Sequence, residues 1–571
     1  MKNVKESANF IWSIADLLRG DYKQSDYGKV ILPLTVLRRL DCVLSSTKAN
    51  VLKKYEQIKT TDIKNIDPVL NKVAGYSFHN RSPFDFDKLI ADPNNIASNL
   101  RNYINGFSED AREVIEQFEF ENHINKMDDA NLLYLVVKRF QEIDLHPERI
   151  SSMEMGYMFE ELIRKFAEIS NETAGEHFTP REVIKLMVNI LFLNDREILT
   201  KKGITKTIFD CCAGTGGMLS VAEEYLHELN PDARLEVFGQ EINPESHAIC
   251  KSDLMIKGQN DSNIKKGNSI SEDQLGNEKF DYLITNPPFG VKWEKFAKKV
   301  KDEHEQLGHG GRFGAGLPSV SDGSFLFLMH LMSKMKPEGS RLAIVFNGSP
   351  LFSGSPSKTK NESSIRQWII ENDFLEAVIA LPNQLFYNTG ISTYIWVISN
   401  NKPKKRKGKV QLINAVDFYK KMGKSLGDKR NELSEEHIAE ITRIYGDFKE
   451  SECSKIFENK AFGYAKVTVE RPERNAKGQV VVDKKGKPKA DSSLRDTENI
   501  PLLMDVQEYM GKEVLPHVPD AWIDEEKTNI GYEINFTKYF YQYKPLRSLD
   551  AIRADIMALE QETDGLLKKI I

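Results

Sequence analysis

The sequence predicts an α/β protein: a doubly wound, mostly parallel sheet, with a helical domain before it and a charged, mixed region ending in a helical tail after it. Three observations lead there. Residues 1–170 carry apolar side chains at helical spacing. Residues 171–420 alternate short β-rich runs with helical stretches, the pattern of strand–helix–strand units. Within that stretch two apolar runs stop abruptly, one in a glycine-rich turn and one in a double proline.

The stripe Phe10, Ile11, Ile14, Leu17 and Leu18 reads as a helix that Gly20 can end. "DANLLYLVVKRFQEI" and "SSMEMGYMFEELIRKFAEI" repeat the helical pattern, and 1–170 reads as a structural helical domain. Strands are expected at "TKTIFD", "RLEVFGQE", "DYLITN", "RLAIVF" and "LEAVIAL". "ISTYIWVIS" and "GKVQLINAV" flank "NNKPKKRKGK" and read as a β-hairpin with a basic turn. In 421–571, "AKVTVERPERNAKGQVVVDKKGKPKADSS" reads as two exposed strands and a solvated loop. The last segment places Leu549, Ile552, Ile556, Leu559, Thr563, Leu566 and Ile570 at alternating steps of three and four, a heptad seam. Such a helix packs on its own chain or docks on a partner.

Apolar content of 40% and charged content of 29% describe a folded globular chain, and 571 residues suffice for several domains. A net charge of −5 gives no global signal for nucleic acid, so any such surface is local. The five cysteines are scattered without metal-ligand spacing, which favours a reducing cytoplasm over a disulfide framework, and no metal is expected. Glu6, Asp16 and Arg19 interrupt the first apolar run, so it does not read as a signal peptide. No run approaches the ~18 apolar residues of a membrane span.

The chemistry lies at the two abrupt strand ends. In "TIFDCCAGTGGML" a strand ends at Asp210, and Gly214, Gly216 and Gly217 open a helix, allowing a ligand to approach the backbone. The turn lacks the lysine and hydroxyl residue of a triphosphate-binding loop. "RLEVFGQE" ends in Glu241, placed to accept bonds from both hydroxyls of a ribose. Asn268 in "GNSI" can contact an adenine ring. In "DYLITNPPFG" the prolines cannot continue a sheet, so Asn286, Pro287, Pro288 and Phe289 form a rigid corner at a strand's carboxyl end. The Asn286 side-chain carbonyl and the Pro287 backbone carbonyl offer two acceptors for one exocyclic amine. Binding both its hydrogens localises the nitrogen lone pair for in-line attack on a sulfonium methyl, with Phe289 as a stacking face.

"NPPF" together with "FDCCAGTGG" and "GQE" resembles the amino-group DNA methyltransferases, in particular the N6-adenine class with cofactor motifs ahead of the catalytic tetrapeptide. "AGEHFTPREVIKLMV" is similar to the segment that closes over the methionine end of the cofactor in that group. The resemblance implies a seven-stranded S-adenosyl-L-methionine-dependent methyltransferase sheet. It implies cofactor binding by Glu176, His177, Phe178, Thr179, Pro180, Arg181, Asp210, Gly214, Thr215, Gly216, Gly217, Glu241 and Asn268, with Thr179 near the carboxylate. Catalysis falls to Asn286, Pro287, Pro288 and Phe289. "DCCAG" departs from the family, which often has proline after the aspartate. "GYMFEELIRKFAE", "LPNQLFYNTGISTYIWVI" and "NIGYEINFTKYFY" widen the likeness to the methylation subunit of type I restriction-modification systems.

That resemblance implies double-stranded DNA, a specificity subunit, a second methylation subunit and a restriction–translocation subunit as partners. Five lysines against one glutamate between Val291 and Lys301 can meet phosphates, and "GHGGRFGAGLP" reads as a mobile loop for closing on an extruded base. Two other readings stay open: methyl transfer to a protein glutamine or to RNA, and a catalytically silent scaffold.

Overall fold

Helix Gly28–Leu44 is apolar along most of its length and buried on nearly every side, so the helices of the N-terminal region pack around it. The computed structural model describes residues 2–61, 63–170, 179–387, 389–483, 486–541 and 548–567. Residues up to Ile534 form one compact unit and those from Asn535 another. Of the predicted N-terminal helices, the first is an α-helix over Lys2–Ser13 that tightens to a 3-10 turn at Ile14–Leu18, so its stripe spans both; the other two are Leu133–Gln141 and Ser152–Ser170. Their core extends to Ala248, Ile249 and Met255 of helix Pro244–Lys257, which joins the helical region to the sheet that follows.

That sheet is built from β1 (Thr205–Asp210), β2 (Arg234–Glu241), β3 (Ile264–Lys266), β4 (Tyr282–Thr285), β5 (Arg341–Asn347), β6 (Leu375–Ala380), β7 (Thr393–Ser399) and β8 (Lys409–Asn414). After a small pair, β9 (Lys420–Leu426) and β10 (Lys429–Glu432), β11 (Ser454–Glu458) completes it. Among the described residues the order is β11-β8-β6-β7-β5-β4-β1-β2-β3. The doubly wound sheet expected from sequence is therefore present, with β7 antiparallel between β5 and β6 and β11 antiparallel to β8 at the edge. Seven strands were expected and nine form, because β8 and β11 extend the edge beyond β6.

The expected hairpin of "ISTYIWVIS" and "GKVQLINAV" does not form. Both edges of β7 are taken by β5 and β6, so β8 adds in parallel to the free edge of β6. The C-terminal strands also differ from expectation. β12 (Gly463–Glu470) is the largely buried centre of a three-stranded sheet with β13 (Asp496–Pro501) and β14 (Trp522–Tyr532). Its partners come from later in the chain and cover both edges. The second predicted strand is reduced to isolated bridges such as Arg474 with Val480. The second unit holds the helices Phe536–Phe540 and Leu549–Leu567, and on the latter Leu549, Ile552, Ile556 and Leu559 are exposed. Ile570 of the heptad lies outside the described residues. No helix among the described residues is long and apolar enough to cross a membrane.

A buried ionic cluster fastens the extended edge. The fully buried Glu376 on β6 pairs with Arg341 of β5 and with Arg406, each at 3.2 Å. Both arginines reach Tyr445 of helix Glu435–Asp447, one at its hydroxyl and one at its carbonyl. Removing one member of such a cluster strands the others' charge without solvent. Glu376→Ala is expected to lower stability by ~3–5 kcal/mol, read by denaturant unfolding. A loss under 1 kcal/mol would contradict the role given to the cluster.

Candidate active site

β1 and β4 are adjacent parallel strands, and the two abrupt sequence motifs begin where they end. The Thr285 hydroxyl donates to the Asp210 carboxylate at 2.7 Å, and the same oxygen receives the Cys212 N–H at 2.9 Å. Burial pushes the Asp210 carboxyl up to about 7, against the lowering effect of those two bonds. The turn that follows has the left-handed backbone expected of its glycines, with φ of +53° at Gly214 and +85° at Gly216. Gly217 is needed for a different reason: a Cβ there would stand 2.9 Å from Glu160 Oε1.

Glu241, at the end of β2, accepts the N–H groups of Gly214 and Asn243, both at 2.7 Å. Each oxygen accepts one of these bonds and keeps further lone-pair capacity. Burial raises its pKa. The Asn268 side-chain carbonyl accepts the N–H groups of Ile270 at 2.9 Å and Ser271 at 3.0 Å, which commits its oxygen to the turn and leaves its amide nitrogen for a ligand. Glu241 and Asn268 line one cavity of about 290 Å³ with apolar walls that include Ile242, Pro288, Phe296 and Phe327. A smaller cavity of about 50 Å³ lies on the other side of Cys212, Gly214 and Asn286, which line both.

Asn286 is therefore the wall between two compartments. Its amide nitrogen donates to Thr179 Oγ1 at 2.9 Å, which fixes the plane of the amide. Thr179, Asp210, Thr215 and Gly217 line the smaller compartment. Pro180 is buried and precedes helix Arg181–Phe192. Arg181 turns away from that compartment: it donates to Glu160 Oε1 at 2.8 Å and to the Gly217 carbonyl at 3.2 Å. Pro287 is buried, and Phe289 is half-buried against the sheet core and lines neither cavity. Glu176, His177 and Phe178 lie outside the described residues.

Two residues that shape the surroundings of the site escaped the sequence reading. Glu160 comes from the helical region and lines the smaller cavity; it lies within "GYMFEELIRKFAE", which reads as a helix and a family likeness but carries no mark of a role at the site. Arg312 sits in the glycine-rich loop expected to be mobile. Its guanidinium pairs with Glu303 at 2.7 Å and donates to the carbonyls of Ser269 at 3.0 Å and Ile270 at 2.8 Å, while Phe313 is fully buried. The loop is pinned because a guanidinium's several donors satisfy two other segments at once, which its glycine count does not reveal. All five lysines of 291–301 are exposed, whereas Val291 and Phe296 between them line the larger cavity. The basic run is thus the cavity's outer rim.

Comparison with known proteins agrees with this geometry. The family pattern described as N-6 DNA Methylase matches residues 151–471, and that described as HsdM N-terminal domain matches 7–140. A type I restriction enzyme methylase subunit of Methanocaldococcus jannaschii, MjaIX, is 27% identical over 82% of this chain and 82% of its own length. The HindI methylase subunit of Haemophilus influenzae is 29% identical over 46% of this chain and 54% of its own. The fold is similar to that of a type I restriction-modification methyltransferase subunit from Streptococcus thermophilus, with a TM-score of 0.62, 22% identity, and coverage of 80% of this chain and 96% of that one. With more than half of its 571 residues matched, and both strand-end motifs inside the match, this chain belongs to the N-6 DNA methylase family.

Proposed function

We propose that this chain methylates the exocyclic N6 of adenine in DNA and serves, in the cytoplasm, as the modification subunit of a type I restriction-modification complex. The observation that carries the reading is the Asn-Pro-Pro-Phe corner at the end of β4, set between two cavities and inside the matched family region. The helical domain would span 1–170, the catalytic domain 171–420 and the partner-facing region 421–571.

The donor set fits S-adenosyl-L-methionine, which when bound supplies an electrophilic sulfonium methyl. Glu241 has lone pairs for a ribose diol, Asn268 an amide nitrogen for a purine ring, and the apolar walls suit its faces. Thr179 takes the amide nitrogen of Asn286, so the opposite end of that side chain, its carbonyl, is the acceptor presented to an incoming amine. With the Pro287 carbonyl as second acceptor, the corner holds both amine hydrogens and turns the nitrogen lone pair toward the methyl. No strong base is needed, and the rate comes from position and preorganised dipoles. The proton left on the product amine passes to solvent or a neighbouring carbonyl-bound water.

The specificity subunit, a second copy of this chain and the restriction subunit complete the proposed assembly; the relatives' names, methylase subunits of type I restriction enzymes, support membership of a multi-subunit enzyme. The exposed seam Leu549, Ile552, Ile556 and Leu559 is the docking face offered to the specificity subunit. The lysine rim meets the phosphates that flank the extruded base.

Labelled cofactor offered with DNA, RNA and a glutamine-bearing protein is expected to label DNA alone; labelling of RNA or protein instead would reject the assignment. Asn286→Ala is expected to reduce methyl transfer by at least ~10²-fold while leaving assembly with the specificity subunit intact. A near-normal rate would remove Asn286 from the mechanism. Replacing Lys295, Lys298 and Lys299 together by alanine should weaken DNA binding equally for target and non-target sequences, and flatten the salt dependence by roughly one unit per lost phosphate contact. An unchanged salt slope would place the lysines off the DNA.

A further inference from the structure

The smaller cavity has a charge pattern the reaction described so far does not use. Among the described residues that line it are two carboxylates, Glu160 and Asp210, and no lysine, arginine or histidine. Its other lining includes Thr179, Thr215 and Gly217, so it sits between the glycine turn and the segment that follows the helical domain. It adjoins the larger cavity, sharing Cys212, Gly214 and Asn286 with it. A cofactor whose nucleoside lies against Glu241 and Asn268 therefore extends its amino-acid end into an anionic pocket.

Glu160 is set up to meet a cation there. It lies on helix Ser152–Ser170, and its side chain is 12% exposed. Arg181 holds Oε1 at 2.8 Å and is itself fixed by the Gly217 carbonyl and by the Tyr157 ring, 4.8 Å from its guanidinium carbon. That leaves the second oxygen of Glu160 for another donor. Burial raises the Glu160 pKa in spite of Arg181, so one guanidinium does not fully compensate the charge. The approach is close: Gly217 has no room for a Cβ because Glu160 Oε1 occupies the place.

We propose that Glu160 receives the α-ammonium of the cofactor's amino-acid end, so that the helical region contributes directly to cofactor selection. This rests on the reading of the two cavities as an S-adenosyl-L-methionine site and adds to it a residue from outside the sheet. Arg181 is then a positioning residue behind Glu160, and the hydrogen bond formed is a charge-assisted one.

The test is equilibrium binding by calorimetry on the full chain with two nucleosides: S-adenosylhomocysteine, which carries the amino-acid end, and methylthioadenosine, which lacks it. Glu160→Gln keeps a carbonyl to accept from Arg181 and puts an uncharged NH2 donor in place of the second carboxylate oxygen, the one that would meet the ammonium. The expected result is a ~10–100-fold loss of affinity for S-adenosylhomocysteine with methylthioadenosine affinity unchanged within about twofold. Retained methylthioadenosine binding also shows that the variant is folded. Equal losses for both ligands, or no loss for either, would overturn the role of Glu160. If the unaltered chain binds neither nucleoside, the cofactor reading fails first and takes this proposal with it.

Discussion

The site depends on one buried carboxyl group. Asp210 accepts the hydroxyl of Thr285 and the N–H of Cys212, and so fixes the end of β1 to the end of β4 across 75 residues of sequence. Thr285 immediately precedes Asn286, and Cys212 immediately precedes the glycine turn. A single side chain thus sets the separation between the glycine turn and the Asn-Pro-Pro corner. Burying an acid is costly unless its oxygens are bonded. Here the bonds come from the two groups whose placement matters most, so the cost of burial and the geometry of the site are the same fact.

Around that junction the remaining polar contacts draw in parts of the chain that the sheet alone would leave loose. Glu241 bonds the N–H of Gly214 and ties β2 to the turn. Thr179 holds the Asn286 amide from before the sheet begins. Arg181 joins Glu160 of the helical region to the Gly217 carbonyl, and Arg312 joins the loop after β3 to the helix that bears the lysine rim. Each is a side chain bridging separate segments, and each restrains a different wall. A reaction driven by position needs that kind of restraint more than it needs a strong acid or base.

The strand ends were legible because their signals are local. A double proline cannot extend a sheet, and glycines at positive φ announce a turn whatever surrounds them. The positions of Glu241 and Asn268 were readable for the same reason, since Glu241 closes β2 and Asn268 follows β3 after one glycine. What the sequence withheld depends on choice among distant partners. β7 and β8 look like a hairpin because they are neighbours in sequence, yet β6 competes for β7's edge and wins. β12 looks exposed until β13 and β14 arrive from later in the chain. Glu160 lies in a stretch whose spacing reads only as helix, and its packing against Gly217 brings it to the cavity.

The electrostatics of the molecule divide along the same wall. A net charge of −5 says little about nucleic acid, because what matters is where the charges lie. The lysines between Val291 and Lys301 face solvent, where phosphates can displace their counterions. The carboxyl groups of Asp210 and Glu160 face a small interior cavity, where burial raises both pKa values and the ionised forms are under-compensated. An acid whose folded pKa is raised opposes folding as pH climbs from the ordinary carboxylate range through its folded value, here about 7 for Asp210. As pH climbs through that range the cavity gains negative charge at a cost, which a cation entering it would relieve. On the proposed reading a polyanion is drawn to the rim and a cationic cofactor to the interior, with Asn286, which lines both cavities, at the junction.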